Sequence, residues 1–243
     1  MAKAAIITGG TSGIGLAAAE IFIKNHYKCA LVGRSEQRAR AALDKLNTDS
    51  AIYIQADVGK VDDCEEAVSE AVQRLGDVDV LVNCAGVYSE GAIVDVDETE
   101  YERIFDTNVK GTFFMCRAAV PALSAAKGAI VNVASDAGVK GNYFCALYAA
   151  SKGAVVAFTK SLALELAHIP VRVNCVAPGD VWTSMTVAQL ERSGETMEDL
   201  AAIYPMRRIA TAEEVAEAIC FLAGPKASFT TGAVLSIDGG LTA

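Results

Sequence analysis

Tyr148 and Lys152 stand four residues apart in the run Tyr-Ala-Ala-Ser-Lys, a spacing that puts both side chains on one face of a helix, one turn apart. A phenol can donate a proton, but with an unperturbed pKa of about 10 it does so poorly at neutral pH. Lowering that value by roughly three units takes about 4 kcal/mol, and a cation near 4 Å at an effective dielectric of about 20 contributes about that much. The pair is therefore a candidate acid/base couple for protonating the alkoxide left when hydride reaches a carbonyl carbon.

A second group of residues suits phosphate. Thr8-Gly9-Gly10-Thr11-Ser12-Gly13-Ile14-Gly15 follows an apolar run and opens a helical one. Glycines there permit a tight turn and let backbone amides approach a pyrophosphate, which the helix N-terminus favours through its free N–H groups and dipole. Gly9, Thr11, Ser12, Gly13, Ile14 and Gly15 are the candidate contacts. About 19 residues on, Leu31-Val32-Gly33-Arg34-Ser35 ends the second apolar run without the Asp or Glu that would accept from a ribose 2′-hydroxyl. Arg34 offers a planar cation for a 2′-phosphate instead, with Ser35 and Arg38 beside it, so NADP(H) is favoured over NAD(H). The third and fourth runs end in Ala56-Asp57-Val58 and Asn83-Cys84-Ala85-Gly86. Asp57 either accepts from an adenine amino group or caps the helix starting near Gly59 or Lys60. Asn83 is expected to tie neighbouring strand ends together, while Ala85 and Gly86 let the backbone lie against a cofactor.

Short apolar runs at 4–8, 28–33, 51–56, 80–83, 129–134, 171–177 and 233–237 read as buried parallel strands. Segments of helical spacing lie between them at 14–25, 38–46, 61–75, 101–125, 148–167 and 212–222. This alternation predicts an α/β protein with a doubly wound parallel sheet of about seven strands and helices on both faces, forming a single domain over 1–243. The long insertion at about 180–209 loses the apolar pattern and is expected to form a substrate lid.

With Tyr148-x-x-x-Lys152 joined to these motifs, the chain resembles the short-chain dehydrogenase/reductase family over essentially its full length. The resemblance rests also on Asn108, Ser135, Pro178-Gly179 with Thr183, and Asp238-Gly239-Gly240. It implies a Rossmann-type NAD(P)-binding oxidoreductase in which Tyr148 is the acid/base and Ser135 hydrogen-bonds the substrate oxygen. By the same resemblance Lys152 also holds the nicotinamide ribose, and Asn108 anchors a water in the proton relay. The nicotinamide carboxamide would meet the backbone of Val181 and the hydroxyl of Thr183. Substrate would lie over the nicotinamide, touching Ser135, Asp136, Asn142, Tyr143, Cys145, Tyr148 and the stretch from Thr183 to Met185. Trp182 either lines that pocket or caps the core. The pattern is similar to the subgroup containing 3-oxoacyl-(acyl-carrier-protein) reductases, alongside sugar, polyol and hydroxysteroid dehydrogenases. The resemblance further implies a homotetramer. A cofactor-binding regulator without turnover is the rival from another class, and the Tyr148, Lys152, Ser135 and Asn108 set argues against it.

Composition bounds the partners. The net charge of −9 in 243 residues argues against sequence-independent nucleic-acid binding, which needs surplus Lys and Arg. For an acidic carrier protein, Lys127, Lys140 and Arg172 are the residues from which a local basic patch would be built. Seven scattered cysteines without CxxC spacing suggest neither disulfides nor a metal site, and most are expected to be reduced and buried. No signal-peptide pattern or bilayer-length apolar run is present, so a cytoplasmic protein with no membrane contact is expected.

Overall fold

The computed structural model describes residues 3–243. In chain order the elements are β1 (Ala4–Thr8), α1 (Gly13–Lys24), β2 (Lys28–Gly33), α2 (Glu36–Leu46), β3 (Ala51–Gln55), α3 (Val61–Leu75), β4 (Val80–Asn83), α4 (Glu98–Phe105), α5 (Gly111–Ala126), β5 (Ala129–Val133), α6 (Ala146–Leu166), β6 (Arg172–Pro178), α7 (Ser184–Ser193), α8 (Met197–Ile203), α9 (Ala212–Ala223) and β7 (Val234–Ile237). The strands pair in parallel in the order β3-β2-β1-β4-β5-β6-β7. All seven expected strands are present, each within one residue of its expected ends.

The winding reverses between β1 and β4, where neighbouring connections leave on opposite faces and open a crevice at the strands' carboxyl ends. Every residue of β1, β4 and β5 is buried, because helices cover both sides. On one face Cys64, Ala67 and Val68 of α3, Met115 and Leu123 of α5 and Leu162 of α6 pack on Ile6, Leu81 and Ile130. On the other, Ala18 and Phe22 of α1 and Val215 and Ile219 of α9 pack on Ile7, Val82 and Val131. The seven cysteines are free thiols, five of them buried.

Two expectations need correction. The segment 101–125 is not one helix: a π-helical turn, Asp106–Lys110, separates α4 from α5. It widens the ring by one residue, a device common at functional sites, and it carries Asn108. The 180–209 insertion, where the spacing predicts no helix, holds two, α7 and α8. α8 begins with a capping box in which the Asp199 amide donates to Thr196 Oγ1 (3.2 Å) and the Thr196 amide to Asp199 Oδ2 (2.9 Å). Leu200, Tyr204 and Ile209 give the insertion a small core of its own, closed by Leu190, Met197 and Leu241.

Candidate active site

The glycine turn is built around close approach. Gly9 has φ +66°, and a Cβ there would lie 2.9 Å from the Ala85 amide nitrogen, so the turn after β1 rests directly on the turn after β4. Thr8 Oγ1 locks the two together by accepting from the amides of Cys84 (3.1 Å) and Ala85 (3.0 Å). Ser12 holds the N-cap position of α1, yet its side chain makes no capping bond and no acid occupies the first turn. The amides of that turn therefore remain free for an anion. They border a groove of about 790 Å³ lined by Gly9, Thr11, Ser12, Gly13, Ile14, Arg34, Ser35, Arg38, Asp57, Val58, Ala85 and Gly86, together with Arg103, Thr107 and Arg192. Glycine turn, unclaimed amides and basic rim together fit a dinucleotide phosphate. Gly15 does not line the groove; it is buried against the Gly9 carbonyl.

Neighbours hold the basic rim in place. The Tyr53 hydroxyl donates to the Gly33 carbonyl (2.9 Å) and Gln55 Nε2 to the Arg34 carbonyl (3.3 Å). Ser35 caps α2, its Oγ accepting from the Arg38 amide (3.3 Å). The Arg34 guanidinium is exposed and lies 3.9 Å from Asp57 Oδ2. Asp57 is not the N-cap of α3, which is Lys60; its Oδ1 accepts from the Gly59 amide (3.1 Å) and shapes the turn leading there.

Asn83 ties strands together as expected, but its side chain does not line the groove. Its Nδ2 donates to Asn132 Oδ1 (2.9 Å), and Asn132 Nδ2 in turn donates to Thr159 Oγ1 (2.9 Å), a buried ladder from β4 through β5 to α6.

The groove runs into a cleft of about 420 Å³, and the two share Ile14, Cys84, Gly86, Val87, Tyr88, Thr183 and Met185. Ser135, Tyr148 and Lys152 line the cleft together, although they come from the end of β5 and the first two turns of α6. The turn Asp136–Gly138 packs so tightly on α6 that a Cβ at Gly138 would lie 2.6 Å from the Lys152 carbonyl carbon. Tyr148 is braced edge-on by Tyr88, ring centroids 4.9 Å apart. The buried Lys152 ammonium donates to the Val133 carbonyl (2.9 Å) and lies 5.8 Å from the centre of the Tyr148 ring. Asn108 does not reach the cleft surface. Fully buried, its Nδ2 donates to the Val87 carbonyl and to Ser151 Oγ (both 3.0 Å), while its Oδ1 accepts from the Val87 amide (2.9 Å). It thereby fastens the loop after β4 to α6.

The electrostatics reverse one expectation. Burial pushes the Tyr148 phenol above its ordinary value, Ser135 pulls it back, and the carboxylates of Asp136 and Asp180 push it further up. Burial also lowers the Lys152 ammonium. The spacing around Tyr148 reveals the cation but neither the desolvation nor those two carboxylates.

Of the substrate candidates, Asp136, Asn142, Tyr143, Cys145 and Met185 line the cleft, as do Val181 and Thr183. Asp136 is only 5% exposed; its Oδ1 accepts from Ser135 Oγ (2.8 Å) and its Oδ2 from Asn142 Nδ2 (3.4 Å). Trp182 takes neither of its expected places: it is 56% exposed and does not line the cleft. Sequence reasoning missed Tyr88, Glu90 and Tyr204. Tyr88 donates to Glu90 Oε2 (2.8 Å) and touches Cys145 Sγ (3.3 Å). Tyr204 donates to Asp180 Oδ2 (2.7 Å) and accepts from the Asp180 amide (2.6 Å), yet burial still raises the Asp180 carboxyl. No local motif marks these three. Among the described residues no cluster of three or more potential ligands could hold a metal.

A doubly wound sheet with a glycine turn at its switch point and a Ser, Tyr and Lys set at the mouth defines a class of nucleotide-dependent oxidoreductase. A family model described as enoyl-(acyl carrier protein) reductase, from the short-chain group, matches residues 9–242. The chain is 36% identical over 249 residues to a trans-4-hydroxycyclohexanecarboxylate dehydrogenase of Sinomonas cyclohexanicum, covering 99% of this chain and 93% of that one. Among solved structures, ElxO with NADP bound superposes with a TM-score of 0.93 at 33% identity, over 99% of both chains. A 3-ketoacyl-(acyl-carrier-protein) reductase from Brucella melitensis complexed with NADH gives 0.91 at 33% identity, over 99% and 98%. The chain belongs to the short-chain dehydrogenase/reductase family, and it is an oxidoreductase.

Proposed function

We propose that this protein interconverts a ketone or aldehyde and an alcohol with NADP(H), using Tyr148 as the acid/base. The observation that carries this is the convergence of Ser135, Tyr148 and Lys152 in the cleft into which the phosphate-fitting groove runs. The dinucleotide supplies or accepts the hydride. Tyr148, held as a neutral phenol by burial, keeps the proton that carbonyl reduction consumes. Ser135 hydrogen-bonds the reacting oxygen. Lys152 holds the nicotinamide ribose and favours the phenolate formed as the proton leaves. Asn108, through Val87 and Ser151, keeps the loop after β4 in register with α6 and anchors the proton relay.

NADP(H) is supported by Arg34 and Arg38 on the rim, by the lack of an acid at the end of β2, and by the likeness to ElxO with NADP bound. The NADH complex of the Brucella protein and the position of Asp57 near Arg34 weigh on the other side. A carrier-borne 3-oxoacyl thioester loses support here, because the candidate basic patch does not assemble: Lys127 and Arg172 line a depression beside Asp79, while Lys140 lines the active-site cleft. We propose a single domain, a homotetramer and a cytoplasmic location. Exposed Phe113 of α5, Leu164 of α6 and Leu235 of β7 support the assembly. Among the described residues no helix is long and apolar enough to cross a membrane.

The test is titration with NADPH and NADH, then absorbance-monitored turnover of a panel of ketones by the parent and Tyr148→Phe. NADPH is expected to bind more tightly, and Tyr148→Phe to bind it normally while losing at least about 100-fold in turnover. Full turnover by Tyr148→Phe would overturn the acid/base assignment.

A further inference from the structure

Four carboxylates from four separate segments ring the cleft: Glu90 after β4, Asp136 after β5, Asp180 after β6 and Glu195 between α7 and α8. Among the described residues none of them is ion-paired. The donors they do have are neutral: Ser135 and Asn142 for Asp136, Tyr204 for Asp180, Tyr88 for Glu90. Two cations share the cleft, Lys140 and Lys152, and the second is buried and turned to the Val133 carbonyl beside Tyr148. Four carboxylates against two cations leave the cleft negative, and burial first, then Asp136, Glu90 and Glu195, raise the Asp180 carboxyl above its ordinary value. Glu90 and Glu195 are exposed and Asp180 is half-buried, but Asp136 is only 5% exposed and adjoins Ser135, the residue proposed to hold the reacting oxygen.

We infer that the physiological substrate is an amino ketone or amino alcohol whose ammonium group meets these carboxylates, with Asp136 the residue that sets the preference. The inference rests on the proposed function, because Ser135 and Tyr148 place the carbonyl and so determine which carboxylates the rest of the substrate meets. An ammonium group entering the cleft relieves the mutual repulsion; a carboxylate group adds to it, and a neutral group leaves it unchanged.

Charge can be varied on one skeleton. The parent enzyme with NADPH is assayed against 4-aminocyclohexanone, 4-hydroxycyclohexanone and 4-oxocyclohexanecarboxylate. The expected order of kcat/KM is amino over hydroxy over carboxylate, with about tenfold or more at each step for a charge held by the buried Asp136. A flat or reversed order overturns the inference. Binding of the matching amino, hydroxy and carboxy cyclohexanols to the NADP+ complex, measured by calorimetry, gives a second ranking that needs no turnover. The amino alcohol bound most tightly without turnover supports the inference and counts against the proposed hydride transfer alone; no ranking, or no binding by any of the three, overturns the inference. Asp136→Asn and Glu195→Gln are then read as the ratio of amino to hydroxy substrate within each variant, so that any general loss of catalysis cancels. The ratio is expected to fall at least about fivefold for Asp136→Asn and less for the more peripheral Glu195→Gln, in keeping with the greater reach of a buried charge. An unchanged ratio in Asp136→Asn overturns the role of that residue.

Discussion

Gly138→Ala tests whether the contact between the Asp136–Gly138 turn and α6 sets the spacing of the active site. The added methyl would start 2.6 Å from the Lys152 carbonyl carbon and 2.8 Å from both the Gly153 nitrogen and the Lys152 oxygen. All three are backbone atoms, so no side chain can swing aside. Reaching the 3.4 Å of ordinary contact requires the turn and the helix to part by 3.4 − 2.6, or about 0.8 Å. Overpacking of this kind costs about 1–3 kcal/mol. At roughly 2–4 °C per kcal/mol for a chain of this length, Tm should fall by about 2–12 °C. The functional cost is expected to be larger. Ser135 lies on one side of the contact and Tyr148 and Lys152 on the other, and a misplacement approaching 1 Å costs on the order of 100-fold. Gly138→Ala should therefore lose about 10- to 100-fold in kcat, with circular dichroism unchanged at temperatures well below its Tm. Gly141→Ala is the control, three residues along the same loop with nothing within 4 Å of its added Cβ. Steady-state turnover and thermal melts of the two variants decide the matter. A Gly138→Ala enzyme within about twofold of the parent in kcat and about 1 °C in Tm would refute the reasoning, since it would mean the wall yields without moving Ser135.

Three other perturbations have defined outcomes. Arg34→Ala removes a charge-assisted contact worth about 1.5–3 kcal/mol, so the Kd for NADPH should rise about 10- to 100-fold in fluorescence titration while that for NADH stays near the parent value. Asn132→Leu cuts the ladder from Asn83 to Thr159 and strands a buried amide donor; urea unfolding should show a loss of about 1–3 kcal/mol with an unchanged m-value. Tyr204→Phe removes the donor that holds down the Asp180 carboxyl, already raised by burial. A carboxyl whose folded pKa exceeds its unfolded one makes the folded state hold protons more tightly, so stability falls as pH rises through the window above the usual carboxylate value of about 4. The variant's Tm should decline more steeply than the parent's from about pH 4 towards neutrality, and parallel profiles would show that Tyr204 does not act through Asp180.

Most of the scaffold was legible because parallel strands buried on both faces are continuous apolar runs, as in Ala4–Thr8 and Ala129–Val133. The glycine turn and the Tyr148/Lys152 pair could be read from spacing alone, since each lies within one element or at its start. What depends on contacts between distant segments was not. The side chain of Asn83 is taken by Asn132, 49 residues on, rather than by the groove, and the Asp180–Tyr204 bond spans 24 residues. The upward shift of Tyr148 was hidden for the same reason, as it comes from burial and from carboxylates on other segments. α8 was an oversight of a different kind: Thr196 and Asp199 stand at capping-box spacing, a local start signal that the weak apolar pattern obscured.

The wide turn at Asp106–Lys110 makes the helical stretch on either side of it behave as two rulers with different zero marks. α5 is phased to the sheet through Met115, Cys116, Ala119 and Leu123, while Ile104 of α4 is buried and Asn108 within the turn is set against the loop after β4. Removing any one residue between Asp106 and Lys110 would restore the ordinary period without disturbing the α5 face. The flanks would keep their phase, because five residues in the wide turn sweep about the angle that four sweep in an ordinary helix. Such a deletion would therefore spare the packed faces of α4 and α5 and fall on the wide turn itself, the place from which Asn108 reaches Val87 and Ser151.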